Sequence, residues 1–334
     1  MQKLISKDER FFIAGSNGMV GKAIIRALKK SGYGKKENKG ILLTPSKKEL
    51  NLLNFRDVES WFQKNKPTIV ILAAAKVGGI YANYSQPADF ILENLKIQNN
   101  VIEMAWKYNV KRFLFLGSSC IYPKFASQPL SEESLLTGGL ETTNQSYAIA
   151  KIAGIKLCES LRKQYKFDSI SLMPTNLYGP GDNYHPENSH VMAALIRKFL
   201  IATRDSLPAV NCWGTGSPFR EFMHVDDLGE GVVFALEQWN PDAINAPHDI
   251  EGNPLLILNI GTGKDISIKD LAEKISLLTK YKGRILWDKS KPDGTPKKLL
   301  DIKNIKLLGW EPKIKLDQGI EMTIEGISKE KILY

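Results

Sequence analysis

The chain has 334 residues, 43% of them hydrophobic and 25% charged, with a formal net charge of +10. That length accommodates one or two domains with a sizeable core, and the composition is that of a globular protein rather than a disordered or fibrous one. No uninterrupted apolar stretch approaches the ~18–20 residues of a membrane span, and the scattered lysines lack the aromatic-interleaved basic motif of a nucleic-acid binder, so neither a membrane nor nucleic acid is expected as a partner.

The first residues carry no long apolar segment of the secretory kind. Phe11-Phe12-Ile13-Ala14 reads as a short strand. It runs directly into Gly15-Ser16-Asn17-Gly18-Met19-Val20-Gly21, and Lys22 to Lys30 then has a helical spacing of Ile24, Ile25 and Leu28. Strand, glycine turn and helix form the layout of a dinucleotide site. Gly15 permits the tight turn, Gly18 lets backbone approach a pyrophosphate, Gly21 allows close helix packing, and the helix N-terminus offers free N–H groups to phosphate. The plain alternative is a glycine turn without a ligand.

Ile41-Leu42-Leu43 is the second strand. A ribose-binding acid is expected at its end for NAD, but the chain supplies Thr44-Pro45-Ser46-Lys47-Lys48, which suits a 2′-phosphate and so favours NADP(H). The alternative is an exposed basic loop. Pro67 to Ala75 reads as a buried strand with small residues at its end, Asp89 to Tyr108 as a helix, and Arg112 to Leu116 as a buried parallel strand. The order β-α-β-β-α-β predicts an α/β fold, a Rossmann-type doubly wound parallel sheet.

Gly117 to Lys151 gathers the reactive side chains. Ser118 and Cys120 lie just past a strand end, where open α/β sheets hold ligands. Tyr147 and Lys151 are four apart and share one helical face. A lysine beside a phenol lowers the phenol's pKa, which makes Tyr147 a proton donor; the alternative is an ordinary surface helix. Cys158 falls on the periodic apolar face of the continuing helix and reads as core. With Cys120 and Cys212 it makes three cysteines without Cys-x-x-Cys or metal-ligand spacing, so no metal is expected and reduced thiols point to the cytoplasm.

Ser169 to Pro174 is a further strand, followed by the turn Thr175-Asn176-Leu177-Tyr178-Gly179-Pro180-Gly181 and a loop with Asn183, His185, Asn188 and His190. A helix from Val191 to Ala202 carries Arg197 and Lys198, of which one should face a ligand. A strand and turn at Val210 to Gly214 contains Trp213; His224, flanked by aromatics, reads as structural. Leu256–Ile260, Ile268–Leu278 and Arg284–Trp287 alternate strand and helix. Residues 1–175 with part of 210–260 are expected to form the cofactor domain, and 176–210 with 260–334 a smaller α/β substrate-binding lobe.

Leu116-Gly117-Ser118-Ser119-Cys120-Ile121-Tyr122-Pro123-Lys124, Tyr147-Ala148-Ile149-Ala150-Lys151 and Met173-Pro174-Thr175-Asn176-Leu177-Tyr178-Gly179-Pro180 carry a resemblance that covers nearly the whole chain. Asn188-Ser189-His190, the run from Arg220 to Asp227, and Lys291-Pro292-Asp293-Gly294-Thr295-Pro296 belong to the same set. Together they resemble the extended short-chain dehydrogenase/reductase family, and within it the epimerase/reductases of nucleotide-sugar metabolism. The resemblance implies that GDP-4-keto-6-deoxy-D-mannose is inverted at C3 and C5 and then reduced at C4 by NADPH, giving GDP-L-fucose, in a cytoplasmic homodimer. It implies Cys120 and His190 for proton exchange, chemistry a thiol and an imidazole can perform near neutral pH. It implies Tyr147, Lys151 and Ser118 for reduction. The cofactor would lie along Gly15 to Gly21, Ser46, Lys47, Leu116, Gly117, Lys151, Pro174, Thr175, Asn176, Leu177 and His190. The GDP-sugar would lie along Lys198, Trp213, Arg220 and Asp293.

The chain departs from the family pattern at Asn17, where a basic residue is usual, and at Tyr33 to Lys39, an apparent insertion in a surface loop. A rival reading is a related GDP-sugar epimerase/reductase acting on a 3-deoxy sugar. A rival of another class is a non-catalytic nucleotide-binding protein, against which the intact Ser118, Tyr147 and Lys151 set argues.

Overall fold

A first strand, β1 (Arg10–Ala14), starts the chain's central sheet, and the first half of the molecule is built around it. The structure is a computed structural model that describes residues 3–186, 188–291 and 293–330. The extreme termini of the expected domains, and Pro292 of the Lys291–Pro296 motif, lie outside the described residues. From β1 the chain continues through α1 (Met19–Lys30), β2 (Ile41–Leu43), α2 (Phe55–Asn65), β3 (Ile69–Leu72), α3 (Ile80–Ser85), α4 (Pro87–Lys107), β4 (Arg112–Leu116), α5 (Gln145–Tyr165) and β5 (Ser169–Pro174). There follow β6 (Asn176–Tyr178), α6 (Val191–Arg204), β7 (Ala209–Trp213), β8 (Phe219–His224), α7 (Val225–Gln238) and β9 (Ile257–Ile260). The last elements are β10 (Asp265–Ser267), α8 (Ile268–Leu278), β11 (Arg284–Asp288), β12 (Lys297–Lys298), α9 (Lys303–Leu307) and α10 (Leu316–Glu330).

Six parallel strands form one sheet in the order β2-β1-β3-β4-β5-β9. Its central strands are apolar on both faces because helices cover both, so Phe11, Phe12, Val70, Ile71, Phe113, Leu114 and Phe115 are all fully buried. The expected doubly wound sheet is therefore present. The expected element order missed α2, which separates β2 from β3. Its signal was in the chain: Asn54 caps the helix by accepting from Arg56 and Asp57 N–H, and Val58 and Phe62, four apart, are its buried face.

The segment Tyr33 to Lys39 is a surface loop only in part. Tyr33 is fully buried, its hydroxyl donates to Glu237 Oε1 at 2.7 Å, and Lys7 Nζ lies 3.5 Å over its ring. An aromatic that size, placed beside the sheet, is worth more buried than exposed. α7 lies against α1 so closely that a Cβ at Gly229 would sit 2.6 Å from Ala23 O.

A second core gathers Tyr178, Tyr184, Leu195, Phe199, Leu271, Ile275, Tyr281 and Ile320 from the later elements. Here β6, β10 and β12 pair with β8, and β11 pairs with β7. Most of the 260–334 segment packs in this lobe, but part of it does not. Leu300, Ile302, Ile305 and Trp310 pack into the first core, because the chain after β12 returns across the end of the parallel sheet.

Candidate active site

The glycine turn is shaped by backbone approaches that only glycine allows. At Gly15 (φ +88°) a Cβ would lie 2.8 Å from Ala74 Cα, and at Gly21 it would lie 2.1 Å from Gly15 O. Gly18 differs: a Cβ there would meet nothing nearer than Gly15 O at 3.5 Å, so its outer face is open. Gly18 is also the N-cap of α1, with no side-chain cap bond and no acid in the first turn. Met19, Val20 and Gly21 thus present first-turn N–H groups beside an open face, which fits a nucleotide diphosphate. Ser16 Oγ donates to Pro45 O at 3.2 Å and ties the turn to the loop after β2. There Asn17, Lys47 and Lys48 are exposed, and Ser46 N donates to Glu49 Oε2 at 2.7 Å. Glu49 was not expected. That backbone bond, with the Ser46 side chain, holds its carboxyl below the usual range.

Past β4 the reactive side chains come together. Ser118 caps the short 3-10 turn Ser119–Ile121, its Oγ accepting from Cys120 N at 3.2 Å. Lys151, buried on α5, donates to Leu116 O at 2.8 Å, with Nζ 4.8 Å from the Phe115 ring centre and 5.8 Å from that of Tyr147. Tyr147 and Lys151 therefore do share one face of one helix. The expected pKa effect is reversed. Burial raises the Tyr147 phenol, the nearby Cys120 charge raises it further, and Ser118 pulls it back. Burial also depresses Lys151, to about 7, which leaves only partial charge near neutral pH to acidify its neighbour.

Cys120 is half-buried, with Asn144 Nδ2 3.3 Å and Lys298 Nζ 3.6 Å from Sγ. His190 occupies the N-cap position of α6 but makes no cap bond with its side chain. It is exposed at the surface, yet desolvation by the surrounding protein, and then the Lys298 charge, lower its pKa. Lys298 therefore lies against Cys120, and its charge also reaches His190. The loop before α6 is held to the loop after β3, since Gly79 N donates to Asn188 O at 3.1 Å and a Cβ at Gly79 would meet Ser189 O at 2.6 Å. Pro174 and Thr175 are buried, and the Thr175 hydroxyl and Asn176 amide both donate to Glu221 O. Leu177, next to them, is packed against the first core. Gly117 is pressed on Met173, whose sulfur a Cβ would meet at 2.3 Å.

At the far end Lys198, rather than Arg197, faces Trp213. Its Nζ lies 5.5 Å from the ring centre and donates to Asn211 O at 2.7 Å, while Lys291 lies 5.5 Å from the same ring. Trp213 is 48% exposed, so it is not a core aromatic. Arg220 donates to Asp293 O and Phe219 O. Burial lowers its pKa, and Cys120, Asp293 and Glu141 act against that. The Asp293 carboxylate accepts from Thr215 N at 2.7 Å and Thr215 Oγ at 2.8 Å, which joins its loop to the turn after β7. Of the remaining histidines, His224 is buried and accepts from Asp226 N, capping α7 as its structural reading implied. Asn144 and Lys298 were missed, since nothing along the chain pairs either with Cys120.

Among the described residues no group of three metal-ligating side chains is gathered, and no helix is long and apolar enough to cross a membrane. Known proteins are similar to this chain over nearly its whole length. GDP-L-fucose synthase 1 of Arabidopsis thaliana is 49% identical over 325 residues, 97% of this chain and 95% of that one. GDP-L-fucose synthase of Escherichia coli strain K12 is 49% identical over 321 residues, 95% and 96% of the two chains. A GDP-mannoheptose C4 reductase from Campylobacter jejuni, solved with NADP bound, is 35% identical and superimposes with a TM-score of 0.83 over 97% of this chain and 99% of its own. The profile described as NAD dependent epimerase/dehydratase family matches residues 11–249. With the glycine turn, the parallel sheet and the Tyr147/Lys151 helix all in place, the chain belongs to the NAD dependent epimerase/dehydratase family of extended short-chain dehydrogenases/reductases.

Proposed function

We propose that the protein converts GDP-4-keto-6-deoxy-D-mannose to GDP-L-fucose, by C3/C5 epimerisation followed by NADPH-dependent reduction at C4. The observation that carries this reading is Cys120 hydrogen-bonded to Ser118 and touched by Lys298, whose charge also reaches His190, on the same side as Tyr147 and Lys151. A plain reductase needs only Ser118, Tyr147 and Lys151. Two further groups that exchange protons near neutral pH are what inversion at two carbons requires. The nearly full-length likeness to GDP-L-fucose synthases supports the same reading.

The C4 carbonyl acidifies the protons at C3 and C5. Cys120 removes a proton from one face and His190 delivers one to the other. Ser118 and Tyr147 donate hydrogen bonds to the enolate oxygen that forms between these steps. When bound, NADPH supplies the hydride that C4 accepts. Tyr147 gives its proton to the resulting alkoxide. Its raised pKa keeps that proton in place until the oxygen becomes basic. Gly18 and the first turn of α1 bind the pyrophosphate; Lys47 and Lys48 face the 2′-phosphate. Arg220 clamps the GDP phosphates, and Trp213 with Lys198 receives the nucleotide end. The first core serves the cofactor and the second the GDP-sugar. Exposed apolar side chains along α3 and α4 (Tyr81, Tyr84, Leu92) support a homodimer, and three free cysteines support a cytoplasmic setting.

The test is incubation with GDP-4-keto-6-deoxymannose and either NADPH or NADH, with products identified by NMR. GDP-L-fucose formed with NADPH is expected. Reduction without inversion, or no turnover of any keto-sugar, overturns the reading.

A further inference from the structure

We propose that Asn144 and Lys298 are positioning residues for Cys120, together holding its sulfur as the anion that abstracts a proton. The inference rests on the epimerase reading above and extends it to two residues outside the expected set. Three observations lead to it.

Asn144 stands at the N-cap of α5, where an asparagine side chain ordinarily accepts from the helix's own first N–H groups. It makes no such bond. Its Nδ2 is turned to Cys120 Sγ at 3.3 Å instead, and its Oδ1 is buried without a hydrogen-bond partner among the described residues. Forgoing a cap and burying a bare carbonyl both cost stability, so the orientation serves the sulfur rather than the helix.

Lys298 is half-buried on the two-residue strand β12. Its neighbour Lys297 points the other way and pairs with Asp265 at 3.2 Å. Lys298 makes no ion pair among the described residues; its Nζ donates to Cys120 Sγ at 3.6 Å. An ammonium and an amide N–H converging on one sulfur are donors only, which a thiolate accepts from and a thiol satisfies poorly.

The third observation is what else surrounds that sulfur. Tyr147 of α5 and Arg220 of β8 both sense the Cys120 charge, and Glu141 reaches Arg220. Glu141 is itself neutralised by Lys124 at 2.9 Å and by Thr295 Oγ at 3.2 Å. Glu141 is therefore already engaged, and Lys298 and Arg220 are left to act on the sulfur. Burial first, and Lys298 after it, favour the neutral imidazole of His190. One lysine thus acts on both exchange groups in the same sense, toward a thiolate at Cys120 and an unprotonated ring at His190.

The test uses the full chain with Asn144→Ala, Lys298→Met and Lys298→Arg. The first readout needs no sugar: the rate at which iodoacetamide alkylates Cys120 near neutral pH, located by peptide mass spectrometry. Cys158 and Cys212 are buried and serve as internal references. Asn144→Ala and Lys298→Met are expected to slow alkylation about tenfold each, with the deficit closing as pH is raised, while Lys298→Arg keeps most of the rate. The second readout is solvent deuterium uptake at C3 and C5, expected to fall in parallel. NADPH affinity, unchanged in all three, reports an intact fold. Alkylation rates like those of the parent chain in both Asn144→Ala and Lys298→Met would overturn the proposal. If the parent chain itself exchanges no deuterium, the epimerase reading fails, while the alkylation result still decides the roles of Asn144 and Lys298.

Discussion

The Cys120 charge reaches the Tyr147 phenol, yet the proposed reaction asks different things of the two. Cys120→Ser keeps a group of similar size but replaces a thiol with a hydroxyl that ionises far less readily, so deuterium exchange at C3 and C5 is expected to fall roughly 100-fold or more. NADPH binding should be unaffected, because Cys120 sits on the Asn144–Lys298 side of the cleft rather than at the glycine turn. Exchange at the parent rate in the mutant would remove Cys120 from the mechanism. Tyr147→Phe deletes the phenol while leaving its ring against Phe90, where the two centroids are 6.4 Å apart. C4 reduction should drop roughly 100- to 10,000-fold, with NADPH still bound, measured by single-turnover oxidation at 340 nm. Near-native turnover would reject the role.

Two elements make their own demands. In the β1–α1 turn, Gly21 and Gly18 look alike in sequence but face different surroundings. Gly21→Ala drives a Cβ to within 2.1 Å of Gly15 O, so about 1–3 kcal/mol of stability and most NADPH affinity should go together. Gly18→Ala meets no protein atom nearer than 3.5 Å, so thermal stability should hold while NADPH affinity falls. Parallel loss in both variants would mean that Gly18 serves the fold and not a phosphate. On α5, Lys151 has a folded-state pKa of about 7 against 10.5 in the unfolded chain. Between those values the unfolded chain binds the extra proton, so this lysine makes stability rise with pH from about 7 to 10.5. His190, also lowered, has the same sign below its ordinary pKa. Thermal melts of Lys151→Met should lose that alkaline rise; an unchanged slope would show that the lysine is charged in the fold.

At the scale of the molecule the two cores are locked by Glu221, which is fully buried on β8. Its Oε1 accepts from Thr262 N and Gly263 N just past β9, and its Oε2 from Leu300 N beyond β12. Its backbone O takes the side chains of Thr175 and Asn176, where β5 gives way to β6. One side chain thus satisfies three backbone donors at the junction of the parallel sheet and the small sheet. Burial raises its pKa and those bonds oppose the rise. Glu221→Ala would leave three N–H groups unpaired and cost roughly 3 kcal/mol or more, read as a lowered denaturant midpoint. Glu221→Gln retains one acceptor and should cost less; equal midpoints for the parent and Glu221→Ala would show that the junction is held by packing alone.

What the sequence determined by itself is what short-range chemistry dictates. The apolar runs at Phe11 to Ala14, Ile69 to Leu72 and Arg112 to Leu116, the Gly15–Gly21 turn, and the four-residue spacing of Tyr147 and Lys151 each carry their structural consequence locally. The glycine turn, the parallel sheet and the shared helical face were accordingly legible. Tertiary structure alone decided which distant groups meet. Lys298 lies 178 residues from Cys120, and Asn144, only 24 away, turns to the sulfur instead of capping its helix. Asp293, expected at the GDP-sugar, also holds Thr215, 78 residues away, a contact no local pattern announces. The pKa of a side chain is equally a property of the fold. Tyr147 and Lys151 in sequence predict an acidified phenol, but burial acts on both and outweighs their mutual charge, because desolvation is set by everything packed around a group and not by its neighbour along the helix.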